Sequence, residues 1–294
     1  MYVAGGVSIE KGFLQSVEWT KRRANGELEP WRPAPPLGVP RGFLALISAQ
    51  GYLYAIGGSN DQGGRMTLLR TVERAKIEAD GGLGPWVFVS PLLTPRRGPA
   101  ALISHGFLYV IGGYNGLFLK TLERATLGVN GELGEWKMAR STLTTDRYIH
   151  GAAIQGDFLY VVGGHVETVG GGKASTEWAR IGSDGELQPW QSAASLWIPR
   201  FLAAVTSTRG ALYVLGGYNG NYLASVERAV IREDGSLSAW SSITPLERPK
   251  EGSAVAALGD TIYLAGGSEK GIYLRDVALA QVGTNGELGH WESR

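Results

Sequence analysis

Hydrophobic residues in this chain fall in short runs of five to seven positions, and residues that favour turns, glycine above all, separate many of the runs. The stretch 43–89 is typical, with apolar or β-branched runs at 43–48, 52–56, 71–77 and 84–89. Runs of this length between turn residues predict β-strands, and no helical periodicity competes with them. One unit of the pattern therefore predicts four strands.

The unit recurs six times. Each copy contains an apolar run that ends in a Gly-Gly doublet, and a tryptophan that follows later in the copy. Successive doublets and successive tryptophans are both 50 to 55 residues apart, which is the signature of a repeat architecture. The doublets are Gly5-Gly6, Gly57-Gly58, Gly112-Gly113, Gly163-Gly164, Gly216-Gly217 and Gly266-Gly267, and the tryptophans are Trp31, Trp86, Trp136, Trp190, Trp240 and Trp291.

A turn dipeptide precedes each tryptophan. Asn-Gly and Asp-Gly tolerate positive φ at both central positions of a two-residue hairpin, so we expect six tight hairpins. They are Asn25-Gly26, Asp80-Gly81, Asn130-Gly131, Asp184-Gly185, Asp234-Gly235 and Asn285-Gly286. The first copy begins at its second strand, so we expect its innermost strand to be absent.

The motif formed by an apolar residue, tyrosine, two further residues and Gly-Gly, with the later tryptophan, resembles the kelch repeat over the whole chain. The resemblance implies an all-β, six-bladed kelch β-propeller with four-stranded antiparallel blades. We expect a single domain over 1–294, with blades at about 1–36, 37–91, 92–142, 143–195, 196–245 and 246–294. Because the tyrosines and tryptophans recur in every copy, we expect them to pack between adjacent sheets. The close likeness of the copies suggests recent duplication or engineering.

Composition excludes several classes of protein. Glycine is 44 of 294 residues, while hydrophobic residues remain at 44%, which argues against disorder. A net charge of +1 leaves no basic field for nucleic acid or a membrane surface. The absence of cysteine removes disulfides, thiolate nucleophiles and cysteine-ligated metals. No targeting segment is evident, so the sequence leaves the localisation open.

One rim of the predicted fold collects the candidate binding residues. The first two strands of a blade form a hairpin, so the start of the first strand lies beside the residue after Gly-Gly. Counting about the turn pairs Arg41 with Ser59, Arg147 with His165, Arg200 with Tyr218 and Arg97 with Tyr114. The predicted ligand-binding set is Arg41, Arg97, Arg147, Arg200, Lys250, Asn60, Tyr114, Asn115, Tyr148, His165, Phe201, Tyr218 and Asn219.

Two interpretations of the cations are open. A ring of four arginines and Lys250 would select carboxylate or phosphate groups of an anionic ligand or acidic peptide, as the kelch resemblance also implies for some members. Alternatively, each arginine donates to backbone carbonyls of a neighbouring loop and has a structural role. The recurrent Glu-Arg pairs, such as Glu73-Arg74, are interpreted as cross-strand partners on outer strands.

Catalytic residues are sparse. Only His165, Asp146 and Glu251 are placed for acid–base chemistry, and the sequence contains no nucleophile elbow, phosphate loop or histidine pair on a helix. We therefore expect a non-enzymatic binding scaffold with no cofactor and no metal, and an unidentified protein or anionic ligand as its partner. The alternative is a sialic-acid-type sugar epimerase or mutarotase of the kelch class. We expect a monomer, with a dimer through the open edge of the first blade as the alternative.

Overall fold

The computed structural model describes residues 1–24, 26–166 and 172–293, and within these ranges every regular element is a β-strand. The predicted turn residue Asn25 and the last residue, Arg294, lie outside the described residues. The chain divides into two compact units, Met1–Ala139 and Arg140–Arg294. In the described part there is no helix long and apolar enough to cross a membrane.

The first unit contains three antiparallel sheets, which we call blades 1 to 3, and two small hairpins. Blade 1 has three strands in the order β1-β4-β5, so the prediction that its innermost strand is absent agrees with the described residues. Blades 2 and 3 each have four strands. The strands are β1 (Tyr2–Ala4), β2 (Val7–Ser8), β3 (Gly12–Phe13), β4 (Val17–Trp19), β5 (Arg32–Ala34), β6 (Ala45–Ala49), β7 (Tyr52–Ile56), β8 (Ser59–Gln62), β9 (Arg65–Leu68), β10 (Val72–Lys76), β11 (Val87–Val89), β12 (Ala100–Ser104), β13 (Phe107–Ile111), β14 (Leu122–Thr126) and β15 (Lys137–Met138).

The described residues of the second unit form blades 4 to 6, each with four antiparallel strands, and one further hairpin. Blades 4 and 5 use consecutive strands, while blade 6 has the order β24-β25-β28-β29. The strands are β16 (Gly151–Gln155), β17 (Phe158–Val162), β18 (Thr176–Arg180), β19 (Gln191–Ala193), β20 (Ala204–Thr208), β21 (Ala211–Leu215), β22 (Val226–Val230), β23 (Ser241–Ile243), β24 (Ala254–Leu258), β25 (Thr261–Ala265), β26 (Ser268–Glu269), β27 (Ile272–Tyr273), β28 (Val277–Gln281) and β29 (Glu292–Ser293). In the part of the chain that the structure describes, six antiparallel sheets of three or four strands confirm the predicted all-β, six-bladed fold. The prediction of a single domain stays a prediction.

Recurring aromatic residues join neighbouring blades within each unit, as predicted. In the second unit, Tyr213 is fully buried and donates from its hydroxyl to the carbonyl of Gly286 in the next blade, at 2.8 Å. In the opposite direction, Trp240 Nε1 donates to the carbonyl of Ala194 at 2.9 Å. These rings combine a large buried apolar area with one hydrogen-bonded polar group. The apolar contact stabilises the interface between neighbouring blades of a unit, and the hydrogen bond fixes their relative position.

The Asp-Gly and Asn-Gly turns differ from the expected two-residue hairpins. In the turn at Asp80, the amide of Gly81 donates to the carbonyl of Glu78 at 2.8 Å, and only the glycine has positive φ, at 88°. The aspartate side chain accepts instead from the amide of Gly82 at 2.9 Å. These contacts define a three-residue loop, in which a turn is followed by a left-handed glycine.

Candidate functional site

Among the described residues, four arginines have fully buried side chains at the end of a blade where the Gly-Gly doublet lies. Arg200 is the clearest example: its Nη1 donates to the carbonyls of Gly216 at 2.8 Å and Ser225 at 3.0 Å. Its Nη2 donates to Ser225 Oγ at 2.9 Å and to Glu227 Oε1 at 2.6 Å. The same carboxylate accepts from the amide of Trp197 at 2.7 Å. The pair therefore ties the loop that enters the blade to its second and third strands.

Three other blades repeat this arrangement, which we call the Arg–Glu lock. Arg96 Nε donates to Glu123 Oε1 at 3.0 Å, and Arg147 Nη2 donates to Glu177 Oε1 at 2.6 Å. Each arginine also donates to the carbonyl of the first glycine of the doublet and to a threonine or serine hydroxyl. The four locks are Arg41 with Thr71 and Glu73, Arg96 with Thr121 and Glu123, Arg147 with Ser175 and Glu177, and Arg200 with Ser225 and Glu227.

Blade 6 contains a variant of the lock. Lys250 replaces the arginine, Ala278 stands where the other blades have glutamate, and Asp276 stands where they have threonine or serine. Lys250 Nζ donates to Asp276 Oδ2 at 3.0 Å, and its side chain is 2% exposed. In blade 6, the shorter carboxylate of Asp276, two positions earlier in the sequence, thus replaces the glutamate carboxylate.

Burial changes the interpretation of the cations. The arginine side chains in the locks are 0% exposed, and desolvation lowers the pKa of Arg41, Arg96 and Arg200 while the glutamates oppose it. Their donors are directed at carbonyls and carboxylates of their own blade. Arg41, Arg147, Arg200 and Lys250 are therefore structural groups in this structure, and the predicted ring of cations open to an anion is corrected.

The position of Arg97 also differs from the prediction. The residue in the lock of blade 3 is its neighbour Arg96, and Arg97 instead lies over the Phe43 ring, with Cζ 3.9 Å from the centroid. The predicted pairing of Arg97 with Tyr114 is found, but the other three pairs are shifted by one residue. The observed bridges are Gly42 with Ser59, Arg97 with Tyr114, Tyr148 with His165, Phe201 with Tyr218 and Glu251 with Ser268.

These bridge pairs follow the locks directly and differ from blade to blade. We call Gly42, Ser59, Arg97 and Tyr114 the first-unit loop face, and we call Tyr148, His165, Phe201, Tyr218, Glu251 and Ser268 the second-unit loop face. The lock positions repeat because they maintain each blade. The pairs on the loop faces vary, which is the behaviour expected of residues that meet a partner on a repeated scaffold.

The predicted asparagines have local contacts. Asn60 lies in β8, opposite Thr67, and is 4% exposed. Asn115 Oδ1 accepts from the amide of Leu117 at 3.2 Å, and Asn219 Oδ1 accepts from the amide of Asn221 at 3.2 Å. The last two shape their own loops, since asparagine commonly closes turns of this kind.

Aromatic rings form a continuous row on and beside the second-unit loop face. The rings of His165 and Phe201 have centroids 5.0 Å apart, and those of Phe201 and Tyr218 are 5.5 Å apart in an edge-to-face arrangement. Tyr222 continues the row at 5.1 Å from Tyr218. The first-unit loop face has a shorter counterpart, in which Tyr114 contacts Phe118 at 5.5 Å. Rings in edge contact hold one another in place and leave faces for a ligand.

Backbone hydrogen bonds set the spacing of the second-unit loop face. The amide of Leu202 donates to the carbonyl of Ile149 at 3.0 Å, and the amide of Gly252 donates to the carbonyl of Leu202 at 2.8 Å. All three residues have positive φ, at 47° for Ile149, 52° for Leu202 and 64° for Gly252. A left-handed backbone is unfavourable for leucine and isoleucine, so this linkage is maintained at a cost of folding free energy.

Glu251 supplies the carboxylate of this loop face. Its side chain is half-buried and accepts from Ser268 Oγ at 3.2 Å. Burial raises the pKa of Glu251, and the Ser268 hydroxyl opposes this effect only in part. Among the described residues, no group of three histidine, cysteine, aspartate or glutamate side chains is placed to hold a metal ion.

The recurrent glutamates on the third strand of the blades have a structural role that differs from the predicted one. The sequence predicts Glu73 and Arg74 to be cross-strand partners on outer strands, whereas Glu73 is 1% exposed and pairs with Arg41. A signal was present, because a threonine or serine stands two residues before each such glutamate. Combined with the arginine that precedes the innermost strand of the same blade, this spacing identifies the lock.

Comparison with known proteins agrees with the repeat pattern. Residues 199–228 match the model of the kelch motif. The chain is 25% identical over 228 residues to alpha-scruin of Limulus polyphemus, covering 76% of this chain and 24% of that protein. It is 36% identical over 85 residues to influenza virus NS1A-binding protein of Homo sapiens, covering 29% of this chain and 12% of that protein. The matches thus span a quarter or less of these two relatives.

The solved structure of YjhT has the same fold. It superposes with a TM-score of 0.76 at 14% sequence identity, covering 95% of this chain and 91% of that chain. At this level of identity the likeness concerns the arrangement of strands and carries no information about the residues of the loop faces.

Proposed function

Since this chain is a kelch-repeat β-propeller, we propose that it is a binding module whose second-unit loop face takes a segment of a partner protein. The observation that carries the proposal is the aromatic row His165, Phe201, Tyr218 and Tyr222, which occupies variable positions on a backbone held by hydrogen bonds. Tyrosine and phenylalanine supply large contact areas at low entropic cost, and aromatic residues are enriched in protein interfaces.

Two further observations support a protein partner. A relative that shares 36% identity over 85 residues carries in its name the binding of a viral protein, NS1A. The constant residues of this chain are committed to the Arg–Glu locks, so recognition is left to the side chains that differ between blades. The anionic ligand predicted from the sequence depends on five cations, and four of them, Arg41, Arg147, Arg200 and Lys250, form ion pairs inside the blades.

Selection from a random 12-residue peptide library displayed on phage tests the proposal. Peptides enriched on the wild-type chain should bind at least tenfold more weakly, about 1.4 kcal/mol, to Phe201→Ala and Tyr218→Ala. Phe88→Ala is the matched control, because Phe88 is an exposed aromatic residue on the outer strand of blade 2. Thermal unfolding of each variant verifies folding. If the selected peptides bind all three variants as well as the wild type, the proposed binding surface is wrong.

The second candidate is the sugar epimerase or mutarotase. It is favoured by the presence of His165 and Glu251, two groups capable of proton transfer, on the same second-unit loop face. We expect His165→Ala and Glu251→Gln to abolish any exchange of sugar anomers or epimers that the wild-type chain catalyses. Exchange at the uncatalysed rate across neutral and acidic sugars would remove this candidate.

A further inference from the structure

The second-unit loop face places a carboxylate beside an aromatic row. Phe201 and Glu251 occupy equivalent positions in blades 5 and 6, and each directly precedes a residue of the backbone linkage. The amide of Gly252 donates to the carbonyl of Leu202 at 2.8 Å, so Phe201 and Glu251 each precede a hydrogen-bonded residue, just before the innermost strands of neighbouring blades. Tyr218 and Ser268 accompany them as bridge partners.

We infer that this part of the second-unit loop face binds a cationic side chain, a lysine ammonium or an arginine guanidinium, of the partner segment. The inference rests on the proposed function and adds the chemical class of the ligand. The cation would lie against the faces of Phe201 and Tyr218 and form an ion pair with Glu251. The charge of this ligand is opposite to that of the anionic ligand expected from the sequence.

The charge of Glu251 is available to such a ligand. In the described part of the chain Glu251 forms no ion pair, and its hydrogen-bond donor is the neutral hydroxyl of Ser268. The cation next to it in sequence, Lys250, is directed into the blade and bound to Asp276. Arg248 is also bound to Asp276, at 2.8 Å. A half-buried carboxylate without a cationic partner is costly, and a ligand cation would relieve that cost.

The chain already uses cations on aromatic rings at other sites. Arg74 lies over the Tyr52 ring with Cζ 4.5 Å from the centroid, and Arg124 lies over the Phe107 ring at 4.9 Å. In blade 3, Arg97 over Phe43 occupies the position equivalent to Phe201. Rings of this kind attract cations within about 6 Å through their quadrupole, and the attraction grows when water is excluded. The aromatic row therefore complements a cation, whereas it offers little to an anion.

A titration followed by amide NMR shifts tests the inference. The probes are the N-acetyl N-methylamides of lysine, arginine, leucine and glutamate. The lysine and arginine probes should shift the amide signals of Phe201, Gly252 and Ser268, with saturation at millimolar concentration and weakening by salt. The leucine and glutamate probes should bind at least fivefold more weakly. Equal binding of the leucine probe, or preferential binding of the glutamate probe, would overturn the inference.

Two variants isolate the carboxylate. Glu251→Gln should weaken binding of the lysine probe about tenfold, because a charge-assisted contact is lost. Glu251→Lys should make the chain bind the glutamate probe in preference to the lysine probe. Glu233→Gln is the matched control, because Glu233 is exposed and lies in a turn at the opposite end of blade 5. Burial raises the pKa of Glu251, so removing its charge should not lower the melting temperature at neutral pH. Unchanged lysine binding by Glu251→Gln would contradict the inference.

The two proposals fail in distinguishable ways. Peptides that depend on Phe201 and Tyr218 but lack lysine and arginine would preserve the binding module and refute the cationic ligand. Absence of any peptide that depends on these residues would refute the proposed function, and the amino-acid probes would then decide the cation site by themselves.

Discussion

Arg200 Nη2 donates to Glu227 Oε1 at 2.6 Å, and the two side chains are 0% and 2% exposed. The pair lies at the end of a blade where three chain segments meet, so neither charge can be solvated when the other is removed. Four blades have this arrangement in the residues that the structure describes, so it is a repeated structural element of this chain rather than a single local contact.

Removing one member of this lock should be far more damaging than removing a surface pair. We expect Arg200→Met to lower the free energy of unfolding by about 3 to 5 kcal/mol, because Glu227 is left buried without its partner. The double variant Arg200→Met with Glu227→Leu should lose clearly less free energy of unfolding than Arg200→Met alone, because no buried charge is left unpaired. Arg180→Met, which breaks an exposed pair with Asp157 at 3.7 Å, should cost at most about 1 kcal/mol. Equal losses for the two arginine variants in chemical denaturation would contradict this account.

Blade 6 allows the lock to be exchanged as a unit. Asp276→Thr should destabilise the chain by about 3 to 5 kcal/mol, because Lys250 then has no carboxylate within the blade. Adding Lys250→Arg and Ala278→Glu rebuilds the arrangement found around Arg96 and should recover most of that loss. Chemical denaturation of the single and triple variants measures the coupling. A triple variant no more stable than the single one would show that the locks are not interchangeable.

Acid should reduce the stability that the Arg–Glu lock of blade 4 contributes to the folded chain. Burial alone would raise the pKa of Glu177, but hydrogen bonds from Thr144 and Arg147 outweigh it and hold the pKa below its usual value. A depressed carboxyl pKa contributes stability that is present above the unfolded-state value, about 4.3, and is lost as pH falls through the folded-state value. The stability difference between wild type and Glu177→Gln should therefore be largest near neutral pH and shrink below about pH 4. A difference independent of pH would refute this linkage.

The left-handed backbone at Gly252 should resist side chains even though there is space for them. A Cβ at this position would meet no atom within 4 Å, and φ is 64°. We expect Gly252→Ala to cost about 1 to 2 kcal/mol through backbone strain alone. Gly252→Asn should cost less, because asparagine tolerates this region. If alanine proves as stable as glycine in thermal unfolding, the strain assigned to Leu202 and Ile149 is overstated.

The strand positions were readable from the sequence because the doublets are sterically required. A Cβ on Gly57 would approach the carbonyl oxygen of Arg96 to 2.6 Å, so only glycine fits there and its spacing marks the blade. The predicted runs at 52–56 and 71–77 accordingly fall on β7 and β10. Steric requirements of this kind act on single residues, so they are visible as fixed positions in the amino-acid sequence.

The binding residues were harder to predict because they depend on register. The prediction paired Arg41 with Ser59 about a central residue, whereas Gln50 and Gly51 form a two-residue turn with φ values of 49° and 74°. Two-residue turns shift the pairing by one, and a shift of one residue exchanges the two faces of a strand. The sequence also does not show which arginine of blade 3 is buried, because Arg96 and Arg97 are adjacent residues of the same type. Only the position of Glu123 distinguishes them.

The backbone linkage through Ile149, Leu202 and Gly252 has a consequence for how this chain can evolve. The hydrogen bonds that space the second-unit loop face join main-chain atoms, so the neighbouring side chains at Tyr148, Phe201 and Glu251 contribute nothing to them. New specificities can therefore arise at these three positions by single substitutions, without first acquiring compensating changes in the core. A combinatorial library restricted to them would sample different recognition chemistries on one unaltered frame.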